Sequence, residues 1–193
     1  MTNISIVGNP SRSREFPVHC AVAAAIAVLA AVLPQIVHAA AGAEGGAKWL
    51  PMYLPVVLGG CLLGAKSGVW VGILSPALSF AVTAAFGSAM PAAARLPFMT
   101  AELAMFGLVS GSFSGKIVKH ALYALPATLC AAVCGRAFFL LLALVFRAYA
   151  PFSFAEAWAQ AVSGLSGVLL MLALVPAATA VLNALAAGRK RHD

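Results

Sequence analysis

Residues 121–149 read ALYALPATLCAAVCGRAFFLLLALVFRAY. The stretch is apolar almost throughout and rich in Ala and Leu. It is continuous rather than alternating, which excludes a half-exposed strand or a barrel strand. A run of this length exceeds the ~20 apolar residues that carry a helix across a bilayer. One charge, Arg136, stands near its middle. A guanidinium at that depth is costly in hydrocarbon, so it marks a function or a partner.

Similar runs lie on either side, at about 17–41, 49–64, 68–87, 97–114 and 157–187. Of the 193 residues 63% are hydrophobic and 9% charged, against roughly 45–50% and about 25% in a soluble domain. The sequence therefore predicts an all-α membrane protein, a bundle of six transmembrane helices over residues 17–187. Residues 1–16 form a polar tail and residues 188–193 a basic one. An ordinary soluble enzyme, a disordered chain and a disulfide-stapled mini-protein are excluded.

The net charge of +7 invites a nucleic-acid reading, but the positions of the bases oppose it. No basic stripe is interleaved with aromatics. The cations gather at the ends of apolar runs. With six spans and an inner N-terminus, the inner segments hold Arg12, Arg14, Lys66, Lys116, Lys119, Arg189, Lys190 and Arg191. The outer loops hold Lys48 and Arg95, with Arg147 near an outer end. That asymmetry places both termini in the cytoplasm. Arg12 and Arg14 before the first run, and the small residues Ala39, Ala40 and Ala41 after it, imitate a signal peptide. The apolar stretch is longer than a signal core, so the first run is read as a retained span.

The acids are Glu15, Glu44, Glu102, Glu156 and Asp193. With no internal Asp there is no magnesium aspartate for phosphoryl transfer and no paired aspartates. No Ser-His-Asp set and no H-E-x-x-H motif occurs, so neither catalytic residues nor an enzyme is expected. Any ATP chemistry would reside in a partner. Cys20, Cys61, Cys130 and Cys134 lie within apolar runs and form no C-x-x-C pair. Cys130 and Cys134 share a helix face, but no His or Met joins them at i±3 or i±4. They are read as packing residues, and neither a metal nor a cofactor is expected.

Two small-residue series stand out. Gly60, Gly64, Gly68 and Gly72 recur every four residues, as do Gly107, Gly111 and Gly115. Such spacing lets helices approach closely in a membrane, where no hydrophobic effect drives them together. Ala23, Ala27 and Ala31 repeat the spacing in the first run. Besides Arg136, Glu102 lies inside an apolar run. The two could pair and hold helices together, or line a polar pocket where Arg136 would meet a ligand carboxylate or phosphate. Pro51, Pro55, Pro91 and Pro97 free backbone carbonyls, which in a membrane must line a cavity or find another partner. The segments Trp49–Pro55 and Ser88–Pro97 thus read as shaped loops over a pocket.

The stretch Trp49-Leu-Pro-Met-Tyr-Leu-Pro-Val-Val-Leu-Gly-Gly, then Leu62-Leu-Gly-Ala-Lys-Ser-Gly, then Val71-Gly-Ile-Leu-Ser-Pro-Ala-Leu-Ser-Phe, resembles the substrate-binding S components of energy-coupling factor (ECF) vitamin transporters. The likeness continues through Leu96-Pro-Phe-Met-Thr-Ala-Glu-Leu-Ala-Met-Phe-Gly-Leu-Val-Ser-Gly, Gly135-Arg136 and Gly164–Pro176, and covers about 48–187. It implies a bacterial cytoplasmic-membrane protein that captures a vitamin or precursor at the outer face. It also implies two kinds of partner, an ECF T component and two ABC ATPases, with delivery inward by toppling in the membrane. Substrate-binding candidates are Trp49, Tyr53, Glu102, Arg136 and Trp158. Small residues of the first helix contact the T component in the family, which nominates Ala23, Ala27 and Ala31 for docking. Relatives often carry His where this chain has Tyr53, so the ligand here can differ from theirs. A stand-alone carrier or a structural membrane subunit is the competing reading.

Overall fold

A computed structural model describes residues 15–85, 87, 91–150 and 152–189. Arg12, Arg14, Lys190 and Arg191, which bear on orientation, lie outside the described residues, as do most of both tails. Among the described residues all regular structure is helical. The chain runs α1 (Glu15–Trp49), α2 (Tyr53–Leu63), α3 (Ala65–Ala85), α4 (Leu96–Ser112), α5 (Ser114–Ile117), α6 (Ala124–Val145), α7 (Phe154–Ser163) and α8 (Leu165–Arg189). Short 3-10 turns at Ala93–Arg95 and Ala121–Tyr123 lead into α4 and α6.

Four segments are long and apolar enough to cross a membrane: Cys20–Gly42, Ala65–Ala85, Ala121–Val145 and Phe154–Ala184. The second and fourth apolar runs form shorter helices. At ~1.5 Å per residue α2 reaches about 17 Å and α4 about 26 Å, against ~30 Å of hydrocarbon. Helix α1 outlasts its apolar run. It continues to Trp49 across a kink at Gly42, where φ is +69°, a conformation that glycine adopts without steric cost. Gly64 does the same at φ +88° to turn the chain from α2 into α3.

The glycine series explain how the helices meet. A Cβ on Gly107 would collide with the backbone of Gly68, and one on Gly72 with the Leu103 carbonyl. Gly60 and Gly111 stand at the same seam, one against Ser110 and the other against Ala65. Helices α2 and α3 therefore lie backbone-close to α4, where dispersion and polar contacts act over a short distance. Gly115 keeps the spacing but faces open space, so it takes no part in this seam.

Several buried Ser and Thr hydroxyls bond within their own helices. Ser75 donates to Val71 O (2.6 Å), Thr128 to Ala124 O (2.8 Å) and Thr179 to Pro176 O (2.9 Å). These are the short-range bonds that let Ser and Thr sit in an apolar helix. Outward positions carry large apolar side chains, among them Trp70, Leu129, Val133 and Leu169, as a lipid-facing surface requires.

Helix α7 starts with a capping box. Ser153 Oγ accepts from the Glu156 N–H at 3.2 Å, and the Glu156 carboxylate accepts from the Ser153 N–H at 2.6 Å. Ser153→Ala removes one side of this exchange. The expected result is an unfolding midpoint in detergent lower by about 2–4 °C, read by tryptophan fluorescence.

Candidate functional site

A cavity of about 510 Å³ opens at one end of the bundle. It gathers Pro34, Gln35 and His38 of α1, Leu50–Tyr53, Ser79 of α3, Pro91, Ala92 and Arg95, Met99 of α4, and Glu156, Gln160 and Ser163 of α7. The volume suits a small molecule, and the mixture of apolar walls with a few convergent polar groups is that of a ligand site. The connections near Pro51 and Pro91 do shape it, as the prolines suggested. Gln35 Nε2 donates to Ser79 Oγ at 3.3 Å and ties α1 to α3 on its wall.

Behind one wall lies a buried polar triad. Tyr53 Oη donates to Glu102 Oε2 at 2.6 Å, and Arg136 Nη1 donates to Glu102 Oε1 at 2.8 Å. Glu102 is fully buried and Arg136 nearly so. The Arg136 guanidinium also sits 5.1 Å from the Tyr53 ring centroid, a cation–π contact. Phe106 packs edge-on to the same ring at 4.9 Å. Gly135 makes room for this, because a Cβ there would strike the Phe106 ring. Three helices, α2, α4 and α6, are thus joined through one carboxylate.

The pairing resolves the two readings of these charges in part: Glu102 and Arg136 do bond to each other. Arg136 lies deep in its own apolar run, so the pairing depends on where its helix ends. Measured from residue 149, Arg136 lies roughly 18–20 Å down its helix. But α6 ends at Val145, so the distance to its end is about 14 Å, and the long arginine side chain spans the rest.

Of the five residues nominated for ligand contact, Tyr53 lines the cavity, and Glu102 and Arg136 stand behind it. Trp49 and Trp158 are 42% and 56% exposed and do not line it. The polar residues that do line it were not singled out from sequence. Gln35 and His38, placed after Pro34 in an apolar run, carried a readable signal, since uncharged polar groups at membrane depth also need a reason. The alanine stripe is placed inward. Ala27 and Ala31 are buried and Ala23 partly so, while Val28, Leu29, Val32 and Ile36 face outward. Ala27 and Ala31 are therefore buried within the bundle. A second, wholly apolar groove of about 530 Å³ runs between α2 and α8, lined by Leu54, Leu58, Leu174 and Val181 among others. With no polar group to orient a solute, it has the character of lipid-facing surface.

The family model for the ECF transporter, substrate-specific component, matches residues 18–187. Comparison with curated proteins and with solved structures gave no match.

Proposed function

Because the chain belongs to the family of substrate-specific components of ECF transporters, an integral multi-pass membrane protein of transport, we propose that it captures a vitamin or vitamin precursor in the cavity above the Tyr53–Glu102–Arg136 triad. The observation that carries this reading is the cavity itself. Five helices and two connections converge on it, and it is both large enough and polar enough for a small water-soluble molecule. Tyr53 places an aromatic ring on its wall, and the triad holds that ring in place from behind.

In this proposal the chain crosses a bacterial cytoplasmic membrane six times with both termini inside. The short α2 and α4 count as spans, and the cavity faces outward. Gln35, His38, Arg95 and Gln160 contact the ligand alongside Tyr53. A T component and two ABC ATPases supply the energy, and the T component meets α1 on its outward Val28, Leu29 and Val32 side chains and at Ala23. Ligand release follows reorientation of the whole bundle, a motion compatible with a rigid glycine-packed core and an apolar outer surface.

The test separates capture from transport. The purified chain in detergent is expected to retain a vitamin from solution without ATP. In cells the chain alone is expected to give no sustained accumulation, and co-expression of the T component and ATPases is expected to restore it. An ATPase variant lacking the phosphate-binding lysine should abolish uptake and leave capture intact. Sustained uptake by the chain alone would instead establish a stand-alone carrier.

A further inference from the structure

We propose that the Nε–Nη2 edge of Arg136 anchors a carboxylate of the captured ligand, and that Leu50 is the side chain standing between this anchor and the cavity. The inference rests on the capture reading above and names the chemistry it selects. Glu102 engages only Nη1 of the guanidinium. Nε and Nη2 are buried and have no hydrogen-bond partner. These two nitrogens point their N–H groups in parallel along one side of the planar group, the fork that takes both oxygens of a carboxylate. Buried donors without partners are costly, most of all on a charged group. A bidentate acceptor would satisfy both at once.

Two further features prepare the place. Gly164 faces the fork, and a Cβ there would lie 2.6 Å from Nη2. The break between α7 and α8 thus falls on the residue whose missing side chain leaves the fork approachable. Leu50 fills the gap on the cavity side. It lines the cavity, and its Cδ1 lies 3.1 Å from the same Gly164 Cβ position. Leu50 is buried yet holds φ +48°, a left-handed conformation that a leucine rarely keeps without an imposed reason. Gly167 and Ser166 pin the adjoining backbone, the first against Trp49 and the second through a 3.0 Å bond to Lys48 O. Capture of the carboxylate requires this side chain to rotate away while the backbone stays clamped.

Charge selects the kind of anion. Glu102 and Arg136 already neutralise each other, and Arg95 and Glu156 on the cavity wall are of opposite sign. A carboxylate adds one negative charge to this balanced set, whereas a phosphate monoester adds nearly two in a low-dielectric site. The monoanion is favoured.

The full chain in detergent is incubated with an equimolar mixture of water-soluble vitamins and gel-filtered, and the retained compound is identified by mass spectrometry. The expected compound bears a free carboxylate, and its methyl ester binds about 100-fold more weakly. Gly164→Ala, which places a methyl group in the fork, is expected to weaken binding of the acid by about the same factor and leave ester binding unchanged. Arg136→Lys keeps a cation for Glu102 but has no fork, and is expected to weaken binding of the acid by a similar factor. A retained compound without a carboxylate, an ester that binds as well as the acid, or a folded Gly164→Ala protein of unchanged affinity overturns the anchor and leaves capture standing. Retention of no compound overturns the capture reading and this inference with it.

Discussion

Glu102→Ala is expected to lower the unfolding midpoint in detergent by about 10 °C or more, corresponding to about 3–5 kcal/mol for removal of one partner from a buried ion pair. The carboxylate is fully buried and accepts from both Arg136 and Tyr53. Its loss leaves a guanidinium inside the bundle with no counter-ion, since the remaining Arg136 nitrogens have no partner either. Tyr53 loses its acceptor in the same step. The companion variant is the double change Glu102→Leu with Arg136→Met. Replacing a buried pair by apolar residues of similar volume is often neutral or stabilising, so the double variant should recover most of the midpoint. It should still fail to bind ligand, because Tyr53 is no longer held and Arg136 is gone. A double variant as unstable as Glu102→Ala would show that the pair is not what the single variant disrupts.

Gly107→Val is expected to prevent recovery of a monodisperse folded protein. The Cβ alone would overlap the backbone carbon and oxygen of Gly68. Backbone cannot swing aside as a side chain can, so α3 and α4 would have to separate along the seam that also holds Gly72 and Leu103. That separation discards close helix–helix contact, which is the main attraction between helices in lipid. Gly115→Ala is the matched control. It lies in the same four-residue series but meets nothing within 4 Å, and its midpoint should stay within about 2 °C of the parent. The measurement is fluorescence-detected gel filtration followed by thermal unfolding. A Gly107→Val protein that elutes and melts like the parent would remove this seam from the account of stability.

The resemblance to ECF S components, drawn from the order of short motifs between residues 48 and 187, agrees with the family match over 18–187. The helical class was legible in composition alone, because long unbroken apolar runs have no other stable form in a bilayer. The glycine periodicity also read correctly at Gly60, Gly68, Gly72, Gly107 and Gly111. At Gly115 it misled, since a four-residue spacing places a residue on a helix face and leaves undecided whether another helix comes to meet that face. The alanine stripe shows the same gap between spacing and placement. Ala27 and Ala31 have the spacing of a contact surface, and only the fold shows that both are buried.

The charged pair shows the division most plainly. Two ionisable groups in hydrocarbon announced themselves in the sequence, because each is costly without a partner. That the partner of each is the other, and that Tyr53 joins them, depended on where α6 ends and on how closely α4 approaches α2 and α6. Those are matters of distance between elements far apart in the chain. The cavity belongs to the same category. Gln35, His38, Ser79, Gln160 and Ser163 are ordinary polar residues in their own segments. They become one surface only because kinks and short connections bring those segments to the same end of the bundle. Hydrophobicity is a property each residue carries with it, so membrane helices can be read one run at a time. A binding surface is a relation among residues from separate runs, and only packing creates it.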